Sequence, residues 1–236
     1  DVNNDNYDDF MIGAPANDEG ESYLILGRAS GWSMDVSLSN ANASFYGESS
    51  DQDLSGKSVA GVGDMNNDGF DDFMIGAPGN DGGGVNVGES YLFFGRASGW
   101  SMNVNLSNAN ASFQGENAMD YSGADFDGVG DVNNDSYDDL LIGVSYNGEA
   151  GFRTGQSYLI LGRASGWSMN VGLNNSNASY YGEASSDYSG GDSSGGYGIT
   201  GVAGVGDMDN DGYTDFLIGA KQNDEGPGSD AGQSYL

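Results

Sequence analysis

A nine-residue acidic loop recurs four times along this 236-residue chain. The clearest copy is Asp64-Met65-Asn66-Asn67-Asp68-Gly69-Phe70-Asp71-Asp72, and the other copies begin at Asp1, Asp131 and Asp207. In every copy oxygen-bearing side chains stand at loop positions 1, 3, 5 and 9, so alternate residues can turn inward around one hard cation. Carboxylate and amide oxygens at such spacing are suitable calcium ligands. The sequence therefore predicts about four structural Ca²⁺ ions, one in each loop.

Position 7 is aromatic in every copy, and an aromatic side chain cannot bind calcium. We expect its backbone carbonyl to do so while the ring packs beneath the loop. The predicted ligands at positions 1, 3, 5, 7 and 9 are Asp1, Asn3, Asp5, Tyr7 and Asp9; Asp64, Asn66, Asp68, Phe70 and Asp72; Asp131, Asn133, Asp135, Tyr137 and Asp139; and Asp207, Asp209, Asp211, Tyr213 and Asp215.

Two other structures could explain such loops. An EF-hand opens in the same way but needs a bidentate Glu at position 12 and flanking helices. Position 12 is isoleucine in all four copies, and each loop leads into a short apolar segment typical of a β-strand. A solvated Asp/Asn/Gly turn is the other alternative, but it does not explain four copies with one ligand spacing. The sequence favours a metal loop that connects two strands of a hairpin.

Composition excludes several classes of function. The formal net charge is −30, from 36 acidic and six basic residues, which excludes nucleic acid as a partner and disfavours anionic membranes. There is no cysteine, and no segment is apolar over the roughly 18 residues that a membrane span needs. Histidine is also absent, and every recurrent acid is assigned to calcium, so no nucleophile and base pair emerges. We expect a protein that is not an enzyme.

The spacing of other motifs predicts an all-β fold. A Gly-Arg-Ala-Ser-Gly-Trp hexapeptide begins at Gly27, Gly95 and Gly162, about 67 residues apart. Each period should contain four short strands, which in the second period are roughly 58–63, 70–77, 89–95 and 110–115. A four-stranded sheet cannot bury both faces alone, so neighbouring units must stack, and radial stacking of four-stranded antiparallel blades makes a β-propeller. A long sandwich is the weaker alternative.

The sequence also predicts where two further kinds of segment lie. The hexapeptide should carry the chain to the outer strand, with Trp32, Trp100 and Trp167 packed at the sheet edge; a carbohydrate-stacking role is the alternative for these rings. The fourth loop follows the third after a longer interval, and the extra residues fall in 185–200, rich in Ser, Gly and Asp. This run is expected to be a flexible surface loop.

The chain resembles the FG-GAP repeats of integrin α-chains and their prokaryotic relatives. Gly-Ala-Pro follows the first loop at Gly13 and the second at Gly76, which matches the second half of the signature, but it decays to Gly-Val-Ser at Gly143 and Gly-Ala-Lys at Gly219. Where the family has Phe-Gly, the chain has Ser55-Gly56 and Ser122-Gly123, with Tyr197-Gly198 displaced by one residue. These departures affect contacts between blades and leave the metal ligands unchanged.

The resemblance implies a seven-bladed propeller in a parent protein. This chain would hold about three and a half blades, as one propeller region with repeats at approximately 1–63, 64–130, 131–206 and 207–236. It begins inside a metal loop and ends inside a strand, so we expect an open piece of a longer chain; a closed four-bladed ring would lack two strands.

Three classes of function remain. Weak calcium sites fill outside the cell, and sequons recur at Asn42, Asn110 and Asn177, so an extracellular or cell-surface location is expected. The first class is adhesion or recognition of a protein or glycan ligand on a cell surface. The second is a self-assembling subunit of a fibre, sheath or surface layer. The third and weakest is a non-catalytic propeller attached to a hydrolase or lyase.

Overall fold

The computed structural model describes residues 1–16, 19–49, 52–191, 201–224 and 231–236. Most of the predicted surface loop at 185–200, and with it Tyr197-Gly198, lies outside these residues. Strands make up the regular structure, together with three short 3₁₀ turns at Leu38–Asn40, Leu106–Asn108 and Leu173–Asn175. The strands are β1 (Phe10–Ala14), β2 (Glu21–Ile25), β3 (Ala43–Tyr46), β4 (Val59–Gly63), β5 (Asp72–Ala77), β6 (Glu89–Phe93), β7 (Val104–Asn105), β8 (Ala111–Gln114), β9 (Asp125–Gly130), β10 (Asp139–Val144), β11 (Gln156–Ile160), β12 (Val171–Gly172), β13 (Ala178–Tyr181), β14 (Val202–Gly206), β15 (Asp215–Ala220) and β16 (Gln233–Tyr235).

These strands form four antiparallel sheets, one for each period. The second sheet has the order β4-β5-β6-β8 and the third β9-β10-β11-β13, so both hold the four strands predicted for a period. Within the described residues the first sheet has β1-β2-β3 and the fourth has β14-β15-β16. The all-β prediction of four-stranded blades is therefore confirmed, with strand ends within two residues of those expected in the second period.

Apolar residues of the central strands point alternately to opposite sides of each sheet. Phe73 and Ile75 of β5 join a core with Phe45 of the first sheet, whereas Met74 joins a core with Ile142 of the third. All six residues of β5 are buried, which requires a neighbour on both faces. The sheets are thus stacked face to face as β-propeller blades, and no closed barrel forms in the described part of the chain.

Strand direction divides the connections between two faces of the array. The four strands of a blade alternate in direction, so the connections from the first to the second strand and from the third to the fourth lie at one end. The acidic loops make the first of these connections, between β4 and β5, β9 and β10, and β14 and β15. We call this end the loop face. The acidic loops therefore lie on the same face of successive blades.

The segments after the second and third hexapeptides reach across to the preceding blade, which the sequence did not predict. β7 pairs in parallel with β3, the outer strand of the first blade, and β12 pairs in the same way with β8. The N–H of Asn103 also donates to Oγ of Ser44 (2.9 Å). We call residues 101–105 and 168–172 the arms. Each arm ties its own blade to the one before.

The tryptophans pack at the base of these arms, at the sheet edge. Trp100 lies 6.0 Å from Phe73 and Trp167 lies 5.9 Å from Phe94, measured between ring centroids. The guanidinium of the arginine in the same hexapeptide covers each indole, at 4.5 Å in both copies. Since these ring faces contact protein groups, the structure favours edge packing over a carbohydrate platform for these two residues.

Candidate metal centre

Backbone amides arrange the oxygens of the second acidic loop. The N–H of Asp68 donates both to Oδ1 of Asp64 (3.0 Å) and to Oδ1 of Asn66 (2.9 Å). The N–H of Gly69 donates to the other oxygen of Asp64 (2.8 Å), and that of Phe70 donates to Oδ1 of Asp68 (3.1 Å). The side chains at positions 1, 3 and 5 therefore turn toward the inside of the loop, as predicted from their spacing.

The same bonds recur in the other three loops. The N–H at position 5 donates to the side chains at positions 1 and 3 within 3.1 Å in each: Asp5 to Asp1 and Asn3, Asp135 to Asp131 and Asn133, Asp211 to Asp207 and Asp209. The N–H at position 7 donates to the position 5 carboxylate through Tyr7, Tyr137 and Tyr213. Four segments separated in sequence thus adopt one local structure.

Left-handed backbone at positions 4 and 6 makes this turn possible. Position 4 is asparagine in every copy, with φ between 54° and 61° at Asn4, Asn67, Asn134 and Asn210. Position 6 is Asn6, Gly69, Ser136 or Gly212, also with positive φ. Glycine and asparagine are the residues that enter this region at least cost. Asparagine at position 4 and a small or amide residue at position 6 are visible in the sequence, whereas the predicted ligands are all at odd positions.

The aspartate at position 9 closes each loop, and in the second and third loops it is the most buried of the predicted ligands. In the second loop Asp72 is fully buried and accepts bonds from the N–H of Met65 (3.1 Å) and of Gly95 (2.9 Å). Asp139 is held equivalently by Val132 and Gly162. Asp9 and Asp215 accept the same bond from position 2.

Burial disfavours the charged form of these carboxyls. It raises the pKa of Asp72 to about 8; the amides of Gly95 and Met65 lower it, and the nearby carboxylates of Asp64 and Asp68 raise it further. Burial likewise raises the pKa of Asp139 to about 6. A buried carboxylate facing two others is a group that a bound cation would stabilise.

The donor set fits a hard cation. In the fourth loop carboxylate oxygens of Asp207, Asp209 and Asp215 all lie within 4.8 Å of one another, close enough to share one ion. The first three loops have asparagine at position 3, so an amide oxygen replaces the carboxylate there. Carboxylate and amide oxygens with no nitrogen or sulfur donor are the set that calcium takes.

The aromatic residues at position 7 do not pack as deeply as expected. Tyr7 and Tyr213 are 43% and 45% exposed, and Phe70 and Tyr137 are partly exposed. The buried anchor is at position 2 instead, where Val2 and Met65 belong to the cores between blades. The prediction that the ring lies beneath the loop is therefore not met, because the adjacent blade leaves that space to position 2.

Comparison with known proteins agrees with this geometry. A family model described as FG-GAP repeat matches residues 55–93 and 200–236, each of which includes an acidic loop and the strand after it. Two segments of the chain are thus similar to FG-GAP repeats. It is 29% identical over 149 residues to integrin alpha-3 of Cricetulus griseus and of Mus musculus, and 26% identical over 148 residues to integrin alpha-4 of Xenopus laevis. The matched part covers 61% of this chain and 13% of each relative.

The glycines of the FG-GAP signature meet at the joint between blades. A Cβ at Gly76 would overlap the carbonyl oxygen of Gly123, which belongs to the next blade, and Gly143 meets Gly190 in the same way. The N–H of Gly56 also donates to the carbonyl of Gly76 in its own blade (2.9 Å). The chain keeps both glycines although it lacks the phenylalanine. The close backbone contact requires glycine, because glycine has no Cβ.

Position 8 makes a contact between neighbouring loops that the sequence analysis did not predict. The Asp138 carboxylate of the third loop accepts a bond from the N–H of Asp64 in the second loop (2.8 Å), and the N–H of Asp138 donates to the Asp64 carbonyl (3.3 Å). The sequence signal is that position 8 is aspartate in three of the four acidic loops and threonine, Thr214, in the last.

The sequon asparagines lie on the loop face, beside the ends of the third strands. Asn42, Asn110 and Asn177 are exposed, and each accepts a bond through its side-chain oxygen from a backbone N–H of its own blade at 2.9–3.0 Å. Such a bond involves the side-chain oxygen and does not involve the side-chain amide nitrogen. Glycosylation at these positions stays a prediction.

Proposed function

We propose that this chain is part of a calcium-binding extracellular β-propeller that acts in cell-surface adhesion or recognition. The observation that carries the proposal is the repetition of one preorganised oxygen set on one face of successive blades. Similarity to integrin α-chains supports recognition of a protein or glycan ligand over catalysis. In the described residues no helix is long and apolar enough to cross a bilayer.

Calcium would act as a structural ion. Each loop places carboxylates close together at the end of a hairpin, where they repel one another without a cation. If the affinity is that of extracellular modules, about 10⁻⁴ to 10⁻³ M, millimolar calcium stabilises the fold by about 0.4–1.4 kcal/mol per loop. Four loops would together contribute a few kcal/mol, which is a large part of the margin of a domain. Sites this weak fill outside a cell and stay empty in cytosol.

Calorimetric titration of calcium into the chelator-treated chain tests the proposal directly. We expect about four equivalents to bind, with the melting temperature rising by several degrees as the loops fill. Asp68→Ala should remove one equivalent because it deletes the position 5 ligand of the second loop. Asp35→Asn is the matched control, since Asp35 is exposed and the corresponding arm positions, Asn103 and Asn170, are already asparagine. Absence of binding would reduce the loops to solvated turns and overturn the proposal.

A self-assembling subunit is the second candidate. The repeated pairing of an arm with the outer strand of the preceding blade favours it, because the same kind of pairing could join separate chains. Electron microscopy distinguishes the candidates, because ordered polymers of native material favour assembly and monodisperse particles favour recognition.

A further inference from the structure

We propose that Asp71 and Asp138, which are not metal ligands, couple neighbouring calcium loops so that the loops fill cooperatively from blade to blade. This inference rests on the proposed calcium binding. Each of these residues is at position 8 of its loop, next to the last ligand, and contacts position 1 of the preceding loop. Position 1 is itself a ligand. One residue thus connects the end of one metal site with the beginning of another.

The contact between the second and third loops is a two-point clamp. The Asp138 carboxylate accepts the N–H of Asp64 (2.8 Å), and the Asp64 carbonyl accepts the N–H of Asp138 (3.3 Å). The first and second loops have the same arrangement, with the amine of Asp1 on the Asp71 carboxylate (2.8 Å) and the N–H of Asp71 on the Asp1 carbonyl (3.3 Å). Ordering of either loop by an ion therefore fixes the main chain of the other.

Two further features of the fold support this clamp. Gly63, which precedes the second loop, has φ +72°, and a Cβ on it would overlap the Asp138 carboxylate. The hexapeptide supplies a second link, because the N–H of Arg163 donates to the carbonyl of Met65 in the preceding loop (2.8 Å). The neighbouring Gly162 donates to Asp139 in its own loop (2.8 Å). Two separate segments thus join the same pair of loops.

Electrostatic repulsion acts in the same direction. Asp138 lies among the carboxylates of Asp71 and Asp64, which belong to the second loop, and of Asp131 in its own loop. An ion bound in either adjoining loop reduces the repulsion that the other loop must overcome. Filling one loop should therefore raise the calcium affinity of the next.

The last junction is a natural comparison. Position 8 of the fourth loop is Thr214, which retains the backbone bond from its N–H to the Asp131 carbonyl (3.3 Å) but has no carboxylate to accept the Asp131 N–H. Its Oγ1 is buried and without a hydrogen-bond partner. The third and fourth loops should be coupled more weakly than the second and third.

The test is a calcium titration of the full chain in which single loops are followed by NMR. The amide of Gly69 bonds to a ligand of the second loop and that of Gly212 to a ligand of the fourth, so their signals report those loops separately. Asp138→Thr changes only the third loop and copies the residue found in the fourth. We expect the Gly69 midpoint to move to roughly fivefold higher calcium, with the Gly212 midpoint moving far less.

Two further variants keep the result interpretable. Asp8→Thr is the matched control, because Asp8 is at position 8 of the first loop, is exposed, and its side chain makes no hydrogen bond to another loop among the described residues; it should leave the Gly69 midpoint unchanged. Thr214→Asp supplies the missing carboxylate and should lower the midpoint of the third loop, followed by the Ser136 amide. It remains informative if Asp138→Thr fails to fold.

The outcomes separate the two proposals. Calcium-dependent shifts with the same Gly69 midpoint in the wild type and in Asp138→Thr would overturn the coupling and leave calcium binding intact. An equal shift in Asp8→Thr would also overturn it, since the effect would then be one of charge alone. No calcium-dependent shift in any loop would overturn the proposed function and the coupling with it.

Discussion

The position 9 aspartate has two roles that conflict when calcium is absent. It must be ionised to bind a cation, yet Asp72 and Asp139 are both fully buried. Its two amide donors lie in different segments. One is at position 2 of the loop, and the other is the glycine that opens the hexapeptide. The same carboxylate therefore holds the loop on its blade and, in the proposed function, completes the metal site. Without an ion its charge is a cost to folding.

This conflict predicts how stability depends on pH in chelator. The pKa of Asp72 in the folded protein, about 8, is above its ordinary value of 3.8, so the protonated carboxyl favours the folded state. That contribution is complete below the ordinary pKa and is lost as the pH rises to about 8. The melting temperature of the chelated chain should fall between about pH 5 and pH 8, and Asp72→Asn should flatten the decline.

Thermal melts across this range provide the measurement, with Asp35→Asn as the exposed control. Saturating calcium should remove most of the decline in the wild type, because the ion favours the carboxylate form. Identical slopes in chelator for the wild type and Asp72→Asn would show that Asp72 is not the titrating group.

At the scale of elements, the blades are joined by backbone contacts as much as by apolar cores. Each signature glycine lies against a carbonyl of the next blade, and each arm pairs with the outer strand of the previous one. The glycine contacts the next blade at the inner strands, whereas the arm pairs with the previous blade at the outer edge. A blade is therefore held to its neighbour at both ends of the sheet.

The glycine joint predicts a large cost for one added methyl group. Gly76→Ala places a Cβ on the Gly123 carbonyl, so the blades must separate locally, and we expect a loss of about 1–3 kcal/mol in the free energy of unfolding. Gly61→Ala is the matched control, since a Cβ at this strand position meets nothing within 4 Å. Chemical denaturation in saturating calcium measures both. Equal stability of the two variants would contradict the joint.

The arm predicts a smaller effect with an equally close control. Ser44→Ala removes the acceptor of the Asn103 N–H at a fully buried site, and should cost about 1 kcal/mol. Ser179 occupies the same position on β13, where no arm is paired in the described residues, so Ser179→Ala should be close to neutral. The difference in denaturation midpoint between the two variants measures the arm contact, and no difference would argue against it.

For the whole molecule, the repeated features were those that sequence could predict. The common turn of the acidic loops, the four strands of a blade and the stacking follow from residue spacing and from apolar alternation, which are local patterns. The arm and the Asp138 clamp were not predicted, because each is a contact between blades made by only a few residues. Asp138 differs from a solvated acid only through its neighbour, Asp64, which is distant in sequence. Position 7 was misjudged for the same reason, since the adjacent blade decides what is buried.

The net charge leads to a prediction that distinguishes the screening of surface charges from the binding of an ion in a loop. Four divalent ions would offset eight of the thirty net negative charges, and they would do so where carboxylates are closest together. Monovalent salt screens exposed charges over about 8 Å at physiological ionic strength but does not replace an ion inside a loop. We expect potassium chloride to raise the melting temperature of the chelated chain by only part of the increase that calcium gives at the same ionic strength. Magnesium should also fall short, because it demands octahedral geometry and gives up water reluctantly. Melts at matched ionic strength in potassium, magnesium and calcium chloride make the comparison. If potassium reproduced the calcium effect, repulsion over the whole surface would explain the stability of the chain, and the loops would be acidic turns without a bound ion.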